Sequence, residues 1–335
     1  MKTAFVQKAQ APVVIEERPV PEPKAGEVLI QVRACGICHS DLALQQGQFA
    51  FGSYPRVPGH EVAGVVAKVG EGVTWPKLGD KVGMPWLFSS CGHCMQCAQG
   101  NEVLCPELQV TGVTADGGYQ EYMIAPAHYV APIPDGLDFT DAGPLMCAGL
   151  TVYNGMRVAG YQAGQKVAVI GLGGLGHLAI LFAKAMAARV AAISNTPDKE
   201  GEARELGAEY FVNSKAAKSG EALKAWDGGA DIILATAPST DAINDAVGGL
   251  APDGTLVVLG VGPGNVSVSP MALVGGRLRV MGSPSGSRKD IRSTLDFAVH
   301  HGVKPVVTKV PLEDAGKMLD LMNQGKLRGR AVIVF

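Results

Sequence analysis

The chain has 335 residues, of which 47% are apolar and 18% charged, and a formal net charge of −2. That length exceeds one ordinary domain and implies two with sizeable cores. Lysines and arginines are scattered rather than striped, which excludes an electrostatic footprint for nucleic acid or an anionic membrane and leaves a small molecule as the expected partner.

Met1 to Gln10 shows no apolar run after a basic region and no cleavage pattern, so it does not read as a signal peptide and a cytoplasmic location is expected. Short β-branched runs broken by Gly and Pro follow, among them Val28 to Val32, Val62 to Val66 and Lys81 to Gly83. They predict an antiparallel β domain.

From Lys166 the texture changes to apolar runs alternating with helix-length segments: Val167 to Ile170, Val190 to Ile193, Tyr210 to Val212, Ile232 to Ala235, Leu256 to Leu259 and Leu278 to Met281. This pattern predicts an α/β, doubly wound parallel sheet. The nearly apolar stretch from Val167 to Ala183 falls short of the ~20 residues that span a bilayer and contains four glycines, so it reads as strand, turn and helix.

After Gly286 one helical face carries Ile291, Leu295, Ala298 and Val299, a second carries Ala315, Met318, Leu319 and Met322 and ends at Gly325, and Ala331 to Phe335 reads as a final strand. These changes of periodicity set expected boundaries: one domain from 1–149 with 286–335, the other 150–285.

Cys91, Cys94, Cys97 and Cys105 form C-x2-C-x2-C-x7-C, a spacing that lets one looped segment wrap four thiolates around a Zn²⁺ ion. Paired disulfides are disfavoured without a secretory signal, and an iron–sulfur cluster would need different surroundings. Such a site has no open position, so its role is scaffolding.

The remaining cysteines are Cys35 and Cys38, in Cys35-Gly36-Ile37-Cys38-His39-Ser40-Asp41, and Cys147, in Leu145-Met146-Cys147-Ala148; Gly59-His60-Glu61 lies between them. Alone, His60 is more often a satisfied side chain than a ligand and Cys147 more often a small buried hydrophobe.

Gly171-Leu172-Gly173-Gly174-Leu175-Gly176 is a G-x-G-x-x-G opening a helix directly after a strand, the context in which it marks a dinucleotide site. Its glycines serve the tight turn, the approach of the pyrophosphate and close helix packing. About twenty residues on, where an NAD site places Asp or Glu on the ribose 2′-hydroxyl, the chain reads Ile193-Ser194-Asn195-Thr196. No carboxylate stands there to repel a 2′-phosphate, and Ser194 can donate to one.

In combination and in this order, C-x-x-C-H-[ST]-D, G-H-E, the four-cysteine lobe and the later cysteine resemble the zinc-dependent alcohol dehydrogenases of the medium-chain dehydrogenase/reductase superfamily, over essentially the whole chain. The resemblance implies a GroES-like, β-rich catalytic domain holding both zinc sites and a Rossmann dinucleotide-binding domain. It makes Cys38, His60 and Cys147 the catalytic zinc ligands, Glu61 a close carboxylate able to exchange with water, and Cys35 a residue without ligand role.

Two thiolates and an imidazole leave a fourth position open to an alcohol oxygen. By the same resemblance Asp41 receives the imidazole proton of His60, with a turn-capping aspartate as the alternative. Ser40 takes the substrate proton and passes it to the cofactor ribose, with a helix cap as the alternative. The chain departs from many relatives at Ala43, where a relaying histidine is frequent.

His39, Lys199 and Arg330 are assigned to the cofactor, with Gly171, Gly173, Gly174, Leu175, Gly176, Ser194 and Asn195; Arg330 is expected to pair with the pyrophosphate. Phe49, Trp86 and Leu108, with Ser40, line the implied pocket for a primary alcohol or its aldehyde. Two Zn²⁺ per chain, NADP(H) in preference to NAD(H), and a homo-oligomer (tetramer or dimer) complete the expectation. The rivals are an NADPH-dependent cinnamyl-type aldehyde reductase of the same superfamily and a non-catalytic structural or redox-sensing relic that keeps the fold.

Overall fold

The computed structural model describes all residues, Met1–Phe335. They divide into two compact units, Met1–Leu150 with Gly286–Phe335, and Thr151–Ser285. No helix is long and apolar enough to cross a membrane.

The first unit is built on a seven-stranded sheet. In spatial order it runs Val307–Val310, Arg330–Val334, Glu27–Gly36, Val62–Val69, Lys81–Met84 and Ala131–Pro132, with Tyr122–Pro126 also paired to Glu27–Gly36. All pairings are antiparallel except Val307–Val310 with Arg330–Val334, which is parallel and corrects the expectation of a purely antiparallel domain. Alternate residues Val28, Ile30 and Val32 are buried in one core with Val62, Val66 and Val82, as a strand's period of two dictates.

The helix Ala315–Asn323 adds Ala315, Met318, Leu319 and Met322 to that core, and Gly325 beyond its end has φ +68°. In the helix Arg288–His301 the buried residues are Asp290, Ile291, Thr294, Leu295 and Ala298, whereas Val299 is only half-buried; the Thr294 hydroxyl donates to the Asp290 carbonyl at 2.8 Å.

Strand register gathers the chemistry of this unit at one place. Glu27–Gly36 pairs with Val62–Val69 so that Cys35 faces Val62, and with Arg330–Val334 so that Gly36 faces Val332. The residues that leave the first strand, enter the second and enter the third therefore become neighbours. Gly36 is required there: a Cβ on it would stand 1.9 Å from Glu61 Oε2.

The second unit is a six-stranded, wholly parallel sheet ordered Tyr210–Asn213, Arg189–Ser194, Lys166–Ile170, Ala230–Ala235, Leu250–Val258 and Arg279–Gly282. Its inner strands are buried on both faces, which is why they read as continuous apolar runs rather than as alternation. Leu259 lies past the end of its strand, and the edge strand runs Arg279–Gly282 rather than Leu278 to Met281.

Candidate active site and metal centres

Cys38 ends the loop after the first strand and caps the helix His39–Gln45. His60 and Glu61 directly precede the strand Val62–Val69, and Cys147 sits on a single wide helical turn, Leu145–Gly149. All four are buried, and ligand atoms of Cys38, His60, Glu61 and Cys147 lie within 4.8 Å of one another. Wide turns of this kind inside helices are frequent at functional sites because they re-aim a side chain.

Asp41 explains the posture of His60. Its Oδ1 lies 3.3 Å from His60 Nδ1 and accepts from the Gly59 N–H at 2.9 Å; its Oδ2 accepts from the Cys38 N–H at 2.8 Å and from the Tyr119 hydroxyl at 3.1 Å. Asp41 is therefore both the carboxylate facing the imidazole and the capping group of the helix. The two readings of Asp41 are not alternatives. With Nδ1 turned to Asp41 at 3.3 Å, Nε2 is left toward the sulfurs; both ring nitrogens are buried and neither makes a hydrogen bond of good geometry.

Burial and the close approach of these groups to one another set the electrostatics of the cluster. The hydrogen bond from the Cys147 thiol, opposed by burial and aided by His60, holds Cys38 well below the usual thiol range, and the same bond and burial push Cys147 well above it. Burial opposes a charged His60, but Asp41 and Cys38 raise its pKa well above normal. Burial pushes Glu61 up to about 8 against the pull of Arg330. Two sulfurs, an imidazole and a carboxylate closed away from water in this way fit a divalent cation, which would hold both sulfurs as thiolates.

Arg330 is buried rather than at the surface, and its guanidinium pairs with Glu61. Burial opposes its charge, but Glu61 and the sulfurs more than offset this and raise its pKa. Ser40 is half-buried at the second position of the helix, which Cys38 rather than Ser40 caps, and His39 is exposed at its first position.

Apolar side chains border the cluster. Trp86 meets the His60 ring edge-on at 5.0 Å, Phe49 lies 5.9 Å from Trp86, and both pack with Leu108 and Tyr54 on Leu44, Val110 and Val113. Tyr119 was missed by sequence reasoning, since nothing in Gly117-Gly118-Tyr119 signals its bond to Asp41. The pairing of Arg330 with Glu61 was missed for the same reason.

The second metal candidate is the lobe of Cys91, Cys94, Cys97 and Cys105, all free thiols. Sulfur separations are 3.5 Å for Cys91 and Cys105 and 3.9 Å for both Cys91 with Cys97 and Cys94 with Cys105. Four sulfurs about 2.3 Å from a central Zn²⁺ would stand about 3.8 Å apart, so the set fits. Backbone N–H groups of His93 and Cys94 draw Cys91 down to about 6, whereas Cys94, despite the Cys97 N–H, is pushed up to about 11 by burial and the adjacent sulfurs.

In the second unit the glycine-rich turn follows Lys166–Ile170 and leads into the helix Gly176–Ala185. Gly171 has φ +92°, a Cβ on Gly176 would stand 1.8 Å from the Gly171 carbonyl, and a Cβ on Gly173 would meet nothing within 4 Å. Gly171 and Gly176 are thus demanded by the chain's own packing. Gly173 is not, and its bare backbone leaves room for a ligand.

Gly171 and Leu172 of that turn, with Ser194, Asn195, Thr196 and Lys199, line a cavity of about 670 Å³. Ser194 is buried with its Oγ accepting from the Thr196 N–H at 3.1 Å, and Lys199 Nζ donates to the Leu172 carbonyl at 2.6 Å. Gly174 and Leu175 complete the turn that opens the helix.

Comparison with known proteins adds three findings. Residues 24–135 match the family of the alcohol dehydrogenase GroES-like domain and residues 174–300 that of zinc-binding dehydrogenases. The chain is 40% identical to an alcohol dehydrogenase of Geobacillus stearothermophilus, covering 99% of each, and 41% identical to one of Moraxella sp., again covering 99% of each. Among solved structures, a cinnamyl alcohol dehydrogenase of Sorghum bicolor superposes with a TM-score of 0.92 at 34% identity, covering 99% of this chain and 97% of that one.

Proposed function

We propose, from the premise that the chain belongs to the zinc-dependent alcohol dehydrogenases of the medium-chain dehydrogenase/reductase superfamily, that Cys38, His60 and Cys147 hold a catalytic zinc ion and Cys91, Cys94, Cys97 and Cys105 a structural one. The enzyme is an oxidoreductase that moves hydride reversibly between an alcohol and the nicotinamide of NAD(P). One observation carries the catalytic assignment: four buried metal-ligating groups converge within 4.8 Å, with Asp41 behind the imidazole.

Held by Cys38, His60 and Cys147, a zinc ion would supply Lewis-acid polarisation of the alcohol oxygen. The chain's own residues do the rest. Asp41 fixes the His60 ring and its tautomer, so that Nε2 remains free to ligate. The Ser40 hydroxyl, neutral and able both to accept and to donate, takes the substrate proton and passes it toward the cofactor ribose. With Ala43 in place of a relaying imidazole, proton exit uses water or another group.

Arg330 balances Glu61 beside the ligands, and its remaining donors are assigned to the cofactor pyrophosphate together with His39. Phe49, Trp86 and Leu108 offer an apolar lining suited to a primary alcohol or aldehyde. The glycine-rich turn cradles the pyrophosphate.

NADP(H) is the preferred cofactor in this reading, supported by the missing carboxylate after Ile193 and by Ser194. The same feature favours a second reading, an NADPH-dependent aldehyde reductase of cinnamyl type, to which the sorghum likeness lends support. Assembly as a dimer or tetramer belongs to the proposal as well: the edge strand Arg279–Gly282 and the helix Pro270–Gly276 expose Val280, Met271 and Val274.

Metal analysis combined with turnover tests the proposal. Two zinc ions per chain with aldehyde-dependent NADPH oxidation is the expected result. One tightly held zinc with no cofactor binding would replace the enzyme reading by that of a relic, and a strong kinetic preference for NAD⁺ over NADP⁺ would overturn the cofactor reading.

A further inference from the structure

The cavity beside the glycine-rich turn has a wall that the cofactor assignment does not use. Besides Ser194, Asn195, Thr196 and Lys199, it is lined by Ser214, Lys215 and Lys218. Strand register explains how they arrive there. Arg189–Ser194 and Tyr210–Asn213 are parallel neighbours with Ser194 opposite Asn213, and the Ser214 N–H donates to the Ser194 carbonyl at 3.0 Å. The segments leaving these two strands run side by side, so Ser214 and Lys215 flank Ser194 to Thr196.

The three lysines are not equivalent. Lys199 Nζ is tied to the Leu172 carbonyl at 2.6 Å, and Lys218 Nζ lies 3.9 Å from Asp245 Oδ1. Lys215 is exposed; only its backbone N–H is engaged, by Asn213 Oδ1 at 3.1 Å, and its ammonium has no partner. Of the acidic residues lining the cavity, Asp245 is occupied by the Ser219 N–H at 2.8 Å, and Asp241 stands on the helix after Ala230–Ala235, two strands from Arg189–Ser194 in the sheet order.

We infer that Lys215, with Ser214 beside it, forms the second wall of the subsite that receives a phosphate on the adenosine ribose of the dinucleotide, facing Ser194 across it. A phosphate monoester is a dianion with oxygens on several sides, so one wall of hydroxyls leaves charge unmatched and a free ammonium on the other completes it. The inference rests on the NADP(H) reading and names a residue that reading leaves out.

The test is calorimetric titration of the full-length zinc-loaded enzyme with adenosine 2′,5′-bisphosphate and with 5′-AMP, which differ by the phosphate in question. Wild type is expected to bind the bisphosphate more tightly. Lys215→Ala should weaken the bisphosphate by about tenfold or more and shift 5′-AMP by less than about twofold. Lys218→Ala, whose ammonium is already paired, should leave both unchanged.

Wild type that binds the two ligands alike overturns the NADP(H) reading, and this inference with it. Wild type that prefers the bisphosphate, with Lys215→Ala keeping that preference, overturns the inference alone. A loss in Lys218→Ala equal to that in Lys215→Ala also overturns it, since it would mark a general loss of positive charge rather than a placed group. Lys215 is exposed, and thermal melting verifies that each variant is folded.

Discussion

The two metal candidates of the first unit are assembled by opposite means. The four-cysteine lobe draws its ligands from Cys91 to Cys105, one continuous segment with three of its four sulfur residues only half-buried. The other draws them from Cys38, His60, Glu61 and Cys147, all buried, on elements joined by strand register rather than by chain proximity. A local set needs its metal to hold the segment's shape, because so short a loop has little core of its own. A set gathered by a sheet and a helix has its shape supplied by the core and can leave a coordination position open. Removing a ligand should therefore damage chemistry in one place and stability in the other.

The largest effect should come from Cys38→Ser. Loss of one thiolate from a three-ligand set removes several kcal/mol of transition-state stabilisation, so kcat/KM in a steady-state assay should fall about a thousandfold or more. The melting temperature should change little, because the sheet still positions the site. Retained activity would break the contrast and the catalytic assignment with it.

Cys94→Ser is the complementary change. It should lower stability by roughly 2–3 kcal/mol, seen as a drop of about 5–10 °C in melting temperature, while turnover per folded molecule stays close to that of wild type. Zinc content should fall by one equivalent per chain in this variant. A variant that melts normally but cannot turn over would reverse the roles of the two sites.

Asp41→Asn sharpens the contrast within the buried site. Asp41 faces His60 at 3.3 Å and accepts from Tyr119, Gly59 and Cys38. Removing its charge should weaken the catalytic zinc by about 10–100-fold, measured by competition with a chelator, and leave the cysteine lobe loaded. Equal loss from both sites would show that Asp41 supports the fold rather than the metal.

The same contrast governs what could be read before the structure. The lobe's chemistry is legible because spacing within one segment is itself geometry. Cys38, His60 and Cys147 carry no such spacing, and only the resemblance of their flanking motifs grouped them. The bonds from Tyr119 to Asp41 and from Arg330 to Glu61 had no pattern at all, since they depend on how three strands align. In the fold, the parallel sheet was legible because strands buried on both faces are continuous apolar runs. The hairpin Lys2–Val6 with Val13–Glu17, the short Leu87–Ser89 and Gln109–Val110, and the parallel strand Val307–Val310 were not: Val13–Glu17 and Val307–Val310 are largely exposed, Leu87–Ser89 and Gln109–Val110 are brief, and Lys2–Val6, though buried at four of its five residues, shows no alternation.

The smallest effect concerns how the lobe is moored to its own unit. Glu102, three residues before the last cysteine, is buried and accepts from Arg288 Nε at 2.9 Å, while the neighbouring Val103 N–H donates to Ser287 Oγ at 3.2 Å. Burial opposes ionisation of Glu102, but its own backbone N–H, Arg288 and Ser287 outweigh it and hold the carboxyl below its usual range. A carboxyl whose folded pKa is depressed contributes stability that is present above its unfolded pKa, about 4.3, and is lost as pH falls through the folded value. Arg288 is partly exposed, so the contribution is about 1 kcal/mol. Glu102→Gln should therefore melt a few degrees below wild type at pH 7, and the gap should close in strongly acid solution as wild type protonates. If the gap is the same at every pH, the carboxylate's charge is not what moors the lobe, and the hydrogen bond from Val103 to Ser287 must carry that role alone.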